Sequence, residues 1–139
     1  MVKGYNNIKL VFKNKLSNLE SMFYECNLLY NIDELQYLNT KYCSDFNSMF
    51  YGCTFLTDIK SLKKWDFSNG INFSKIFHNC LSLSNIKNLE KWDASKCTNF
   101  SYMFYNCLSL SDIKSLEKWD VSNGINLIVC FDAVQFYQI

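Results

Sequence analysis

The apolar positions of this chain fall on two patterns that recur together. In the first, Phe100, Met103, Phe104 and Cys107 stand at i, i+3, i+4 and i+7, which is one stripe of a short helix. Leu19, Met22, Phe23 and Cys26 repeat it, as do Phe46, Met49, Phe50 and Cys53, then Phe73, Ile76, Phe77 and Cys80, and finally Leu127, Cys130, Phe131 and Val134. In the second, Leu83, Ile86, Leu89 and Trp92 are matched by Leu56, Ile59, Leu62 and Trp65, by Leu110, Ile113, Leu116 and Trp119, and by Leu29, Ile32, Leu35 and Leu38. A spacing of three is neither strand alternation nor an α-helical face, so this half of the unit reads as a short strand with a bulge or turn inside it. Val2, Tyr5 and Ile8 open the chain as an incomplete copy, and Tyr137 begins another.

The interval is constant. Lys64-Trp65-Asp66 returns as Lys91-Trp92-Asp93 and Lys118-Trp119-Asp120, each 27 residues on, with no insertion or deletion. A unit of this length has one apolar stripe that it cannot bury alone, and stacking such units buries it continuously. The expected fold is an α/β repeat solenoid, a leucine-rich-repeat-like right-handed stack of about five strand-plus-short-helix coils forming one domain over residues 1–139. Ser17, Ser44 and Thr98 are expected helix N-caps, with Asn72 and Asn126 capping the other two. Strands stack at about 4.8 Å and helices at about 8 to 10 Å, so the stack should curve with its strands inside.

Composition narrows the function. Of 139 residues 49% are hydrophobic, which removes disorder, and 14 lysines against 13 acids leave a net charge of +1, which argues against a polyanion-binding field. No run approaches the roughly 20 apolar residues of a membrane span. Lysines and asparagines interrupt the first fifteen residues, so no secretory signal can be drawn there; the chain is either intracellular or a piece of something longer.

Phe100-Ser101-Tyr102-Met103-Phe104-Tyr105-Asn106-Cys107-Leu108-Ser109-Leu110, followed by Lys118-Trp119-Asp120-Val121-Ser122-Asn123, resembles the repeat of BspA-like leucine-rich repeat surface proteins, in the mycoplasma-type variant. The resemblance covers essentially the whole chain. It departs in an extra residue between Ile86 and Trp92 and their equivalents, and in the absence of Trp-Asp from the first copies. It implies a non-catalytic binding scaffold, displayed at a cell surface or secreted, associated with adhesion or host contact.

Seven cysteines invite a disulfide or metal reading. Cys26, Cys53, Cys80 and Cys107 share one register position on the apolar stripe, where a free thiol acts as a small hydrophobe. Helix spacing would hold them beyond the roughly 7 Å limit for a disulfide. Cys43 and Cys97 share another position, with Gly70 between them. No C-x-x-C pair or Cys/His cluster exists, so no metal or cofactor is expected, and Cys130, in a Met position, is the thiol expected to be partly exposed. His78 and Cys80 lie two apart and would not face each other on a helix, so no catalytic residue is assigned. Asn18, Asp45, Asn72, Asn99 and Asn126 form a polar column expected to satisfy backbone groups between coils. Asn72-Phe73-Ser74 and Asn99-Phe100-Ser101 match the glycosylation sequon, but capping would occupy those side chains and no glycan is expected. The tryptophan column is expected to be core.

What remains is the charged strand side: Lys60, Lys87 and Lys114 in one column, Lys64, Lys91 and Lys118 in a second, with Asp58, Asn85 and Asp112 alongside. Concave repeat surfaces are where such arrays bind partners, so these nine residues are the expected contact with an unidentified protein partner. Lysines without arginine or interleaved exposed aromatics do not point to nucleic acid. A second reading is structural: no polar cap closes the array, and its apolar coil ends would join other units.

Overall fold

The computed structural model describes residues 11–124. Val2, Tyr5, Ile8, Asn126, Leu127, Cys130, Phe131, Val134 and Tyr137 lie outside the described residues, and with them the fifth copy, its cap and the expected exposure of Cys130.

The 27-residue register is real, but the elements inside it are not those expected. Among the described residues there is no α-helix and no strand beyond isolated parallel bridges, Asn18 to Asp45, Asp45 to Asn72, Asn72 to Asn99 and Asp58 to Asn85. The regular elements are short 3-10 turns over Asp33–Tyr37, Lys60–Lys64, Lys87–Lys91 and Lys114–Leu116. The α/β solenoid of strand-plus-helix coils is therefore corrected to turn-built repeats laid directly on one another, and the helix-to-strand difference from which curvature was expected is absent.

The backbone explains why a helical stripe is not a helix here. In the second repeat the N–H groups of Phe46, Ser48, Phe50 and Gly52 donate across to the carbonyls of Asn72, Ser74, Ile76 and His78 at 2.8 to 2.9 Å. The alternate groups turn inward: Met49, Tyr51 and Cys53 donate to the carbonyls of Phe46, Ser48 and Phe50, closing successive i to i−3 turns. An α-helix would use all these donors internally and leave none for its neighbour. Left-handed residues break the helical path twice per repeat, at Ser21, Ser48, Lys75 and Tyr102 and again at Glu25, Gly52, Asn79 and Asn106. Two turns in tandem still present i, i+3, i+4 and i+7 to one side.

The second pattern has an equally simple cause. A 3-10 turn has three residues per revolution, so side chains at i and i+3 eclipse. Ile59, Leu62 and Trp65 are one such row, with Leu62 and Trp65 donating to the carbonyls of Ile59 and Leu62 at 3.0 Å. The same row recurs as Ile86, Leu89 and Trp92. No strand or bulge is needed.

Stacking makes each matched set a column. Phe23, Phe50, Phe77 and Phe104 lie ring on ring, with centroids 5.5, 5.8 and 5.7 Å apart. Trp65 and Trp92 are buried and Trp119 half-buried, as expected of core. The indole N–H groups of Trp65 and Trp119 each donate 2.6 Å to the carbonyls of Leu35 and Leu89. Phe67 instead stacks on Trp92 at 3.6 Å, and the Trp92 indole N–H makes no hydrogen bond among the described residues.

Candidate functional site

The expected contact residues occupy the 3-10 half of the repeat, not a strand. Lys60, Lys87 and Lys114 each begin a turn; Lys64 and Lys91 each end one. Asp58, Asn85 and Asp112 are what start those turns, because the carboxyl or amide oxygen of each accepts the backbone N–H of the lysine two residues on, at 3.0, 3.2 and 3.0 Å. These three side chains are thus committed to the backbone as well as facing solvent. A polar cleft of about 170 Å³, lined by Asn31, Asp33, Asp58, Lys60 and Ser61 among others, lies between two of the turns.

All six lysines are exposed. Lys60 lies 3.8 Å from Asp58, and Lys118 lies 3.5 Å from Glu90 in the preceding repeat. Such exposed pairs contribute little, about 0 to 1 kcal/mol. Lys64, Lys87, Lys91 and Lys114 make no ion pair among the described residues. The bridge between Asp58 and Asn85 holds consecutive repeats at ladder spacing, about 4.8 Å, where two ammoniums repel by roughly 0.9 kcal/mol in water.

A second column is absent from the expectations above. Tyr24, Tyr51, His78 and Tyr105 stack face to face, with centroids 4.7, 4.6 and 4.8 Å apart. They follow the phenylalanine column at the same interval, so the register contained them; the histidine among tyrosines hid the set. Burial, then the nearby Lys75 charge, holds His78 below its ordinary range, while a backbone hydrogen bond with Tyr102 opposes this. Its Nδ1 is buried, with no hydrogen-bond partner among the described residues.

Burial keeps four of the thiols protonated. Burial pushes Cys43 and Cys97 up to about 11 and Cys53 to about 12, and raises Cys80 as well. The Sγ atoms of Cys53, Cys80 and Cys107 point at the carbonyls of Phe23, Phe50 and Phe77 at 3.0 to 3.2 Å. No disulfide joins Cys53 to Cys80, but not for the reason expected: the repeats sit at ladder spacing, well inside the helix separation on which that expectation rests. Cys26 is exposed, contrary to its expected burial. Among the described residues no group of three or more His, Cys, Asp or Glu side chains could hold a metal ion, and no helix is long and apolar enough to cross a membrane.

The polar column does satisfy the backbone, one residue away from the expected Ser17, Ser44 and Thr98 caps. The side-chain oxygens of Asn18, Asp45, Asn72 and Asn99 each accept the N–H two residues on, at 2.6 to 3.1 Å. Asn72 and Asn99, the sequon asparagines, are engaged in this way.

Asp66 and Asp93 are held below the usual carboxylate range first by the hydroxyls of Ser68 and Ser95, then by their backbone N–H groups; for Asp120 the backbone N–H of Ser122 leads. A depressed folded-state pKa contributes stability above the unfolded value, near 3.9, that is lost as pH falls through the folded one. His78, also depressed, should withdraw its contribution earlier, as pH drops below about 6.5. Urea midpoints should therefore fall in two windows. Asn39, in the same register, accepts the Lys41 N–H at 3.2 Å, so Asp93→Asn keeps the turn and should flatten only the lower window; an unchanged acid slope would remove Asp93 from the account.

Fold and site together define a class: a repeat protein whose stacked turns fix side chains in columns. The chain matches the family described as Mycoplasma protein of unknown function, DUF285, over residues 14–138, and belongs to it. No curated protein and no solved structure matches it.

Proposed function

We propose that this protein is a non-catalytic recognition scaffold that binds an extended, acidic protein surface along its lysine-bearing face. The observation that carries this is the pairing pattern: Asp58, Asn85 and Asp112 accept from turn backbone while Lys64, Lys87, Lys91 and Lys114 are exposed and make no ion pair among the described residues. Because hydrogen bonds across repeats fix the lysine rows, an extended partner would meet them with little ordering of the scaffold. The resemblance of residues 100–123 to BspA-like surface proteins supports an adhesive, cell-surface use of such a face.

The test is a charge reversal. Lys60→Glu, Lys87→Glu and Lys114→Glu combined should lower capture of a glutamate-rich extended peptide by about tenfold or more at low salt, with the urea midpoint nearly unchanged, since each lysine is exposed. Equal capture by the reversed and parent proteins would discard the lysine face.

A further inference from the structure

A second cleft, of about 380 Å³, has aromatic walls. Phe12, Asn14, Lys15, Tyr37, Asn39 and Tyr42 line it, and its volume lies within the range of small-molecule sites, about 300 to 1,000 Å³. Its origin is legible in the register. The position that holds Trp65, Trp92 and Trp119 in later repeats holds Leu38 here, also in the lining, and the smaller side chain leaves room that an indole takes elsewhere. The flanking positions change with it. Tyr37 stands where Lys64, Lys91 and Lys118 follow, Tyr42 where Asn69, Lys96 and Asn123 follow, and Phe12 where Asn39, Asp66, Asp93 and Asp120 follow. Rings thus replace polar side chains around this one cleft, and all three are exposed.

We propose that this cleft binds an acidic sugar, a pyranose ring bearing a carboxylate. The exposed rings offer apolar surface on which the C–H face of a pyranose can lie out of water. Amides answer the hydroxyls at its rim, because a carboxamide both donates and accepts. Asn39 commits its side-chain oxygen to the Lys41 N–H at 3.2 Å and keeps its Nδ2 to donate. Charge sets the sign of the ligand. Among the described residues no carboxylate lines the cleft, while the Lys15 ammonium stands 4.6 Å from the Tyr42 ring centroid and that of Lys64 stands 5.5 Å from Tyr37. Neither lysine makes an ion pair among the described residues, so each can turn from its ring to a ligand carboxylate in a charge-assisted contact. Lys64 alone is shared with the lysine face, and either proposal can fail without the other.

The probe is a hyaluronan tetrasaccharide, in which glucuronate alternates with a neutral N-acetylated hexosamine, titrated into the full chain by calorimetry. Binding should saturate, and chitotetraose, which lacks the carboxylate, should bind about tenfold more weakly. Tyr37→Ala and Tyr42→Ala should each weaken the acidic tetrasaccharide about tenfold or more. Tyr37 is 73% exposed, so the urea midpoint of its variant should not move. Leu38→Trp, which restores the residue of the later repeats, should fill the cleft and abolish binding in a chain that still unfolds cooperatively. At about 0.15 M salt, where fields are screened beyond about 8 Å, Lys60→Glu, Lys87→Glu and Lys114→Glu combined should leave the affinity within about twofold. Loss of binding in that triple variant would move the sugar to the lysine face and overturn the proposal. So would a titration that never saturates, equal binding of chitotetraose, or parent-like binding by the tyrosine variants or by Leu38→Trp. Tighter binding of uridine monophosphate would give the cleft to nucleotides instead.

Discussion

Phe77→Ala should destabilise the protein by about 3 to 5 kcal/mol, the range for emptying a buried aromatic site. The ring has no exposed surface and lies between Phe50 and Phe104, at interplanar angles of 7° and 15°, with Trp92 at 6.3 Å on its flank. Collapse cannot fill the hole easily. The repeats on either side are tied to this one by hydrogen bonds from Phe50 to Ile76 and from Phe77 to Met103, which fix their separation while the ring is removed. In a stack whose units contact only their neighbours, the loss weakens two interfaces at once. Against a typical total of about 5 to 15 kcal/mol it is a large share. Urea unfolding should show the shift as a lower midpoint. Phe55→Ala, at a ring 57% exposed, supplies the control, expected within about 0.5 kcal/mol of the parent. Similar midpoints for the two variants would mean that the Phe77 column is not the core.

The parts of the fold legible in sequence were those set by repetition, and the illegible parts were those set by backbone sign. An interval of 27 fixes which residues share a column, so the phenylalanine, tryptophan and most cysteine positions follow from counting. The same count cannot tell a helix from two tandem turns, since both show i, i+3, i+4 and i+7. The deciding feature is left-handed backbone at Ser21, Lys75 and Tyr102, residue types that do not announce it; only Gly52, Asn79 and Asn106 carry a recognisable preference. The row at Ile59, Leu62 and Trp65 is visible in the sequence, but a spacing of three fits neither strand nor α-helix, and 3-10 turns seldom run long enough to leave a pattern of their own. The Asn and Asp column is legible with its backbone-satisfying role; the expected caps at Ser17, Ser44 and Thr98 fall one residue early, while Asn72 is itself the residue that accepts. At the site, the lysine columns were legible as charge. That Asp58, Asn85 and Asp112 start the turns depends on geometry two residues away. Cys26 is exposed although it shares its register with the buried Cys53 and Cys80, so register alone does not set burial: among the described residues Cys53 and Cys80 lie against the carbonyls of Phe23 and Phe50 in the preceding repeat.

Gly70→Ala should be costly although it adds a single methyl to a residue whose backbone is not left-handed. A Cβ there would stand 2.3 Å from Cζ of Phe73 and 3.1 Å from the Phe67 carbonyl oxygen. Phe73 cannot yield readily: it is fully buried, with Phe46, Phe67 and Trp92 at 5.2, 5.8 and 5.9 Å and Phe100 at 6.1 Å. The register position reads Cys43, Gly70, Cys97, Gly124, and the ring three residues on is phenylalanine at 46, 73 and 100. Successive rings in that column tilt by 40° to one another, so a ring does not keep one pose down the stack. At Gly70 the ring leans over the backbone into the space that a side chain would take. Overpacking of this kind costs about 1 to 3 kcal/mol. Phe73→Leu in the same chain should recover part of the loss, because the shorter side chain vacates the volume that the new methyl needs. A double-mutant cycle by urea unfolding should therefore give a coupling of about 0.5 kcal/mol or more between the two sites. If the two losses simply add, the clash with Phe73 is not the reason glycine stands at this position.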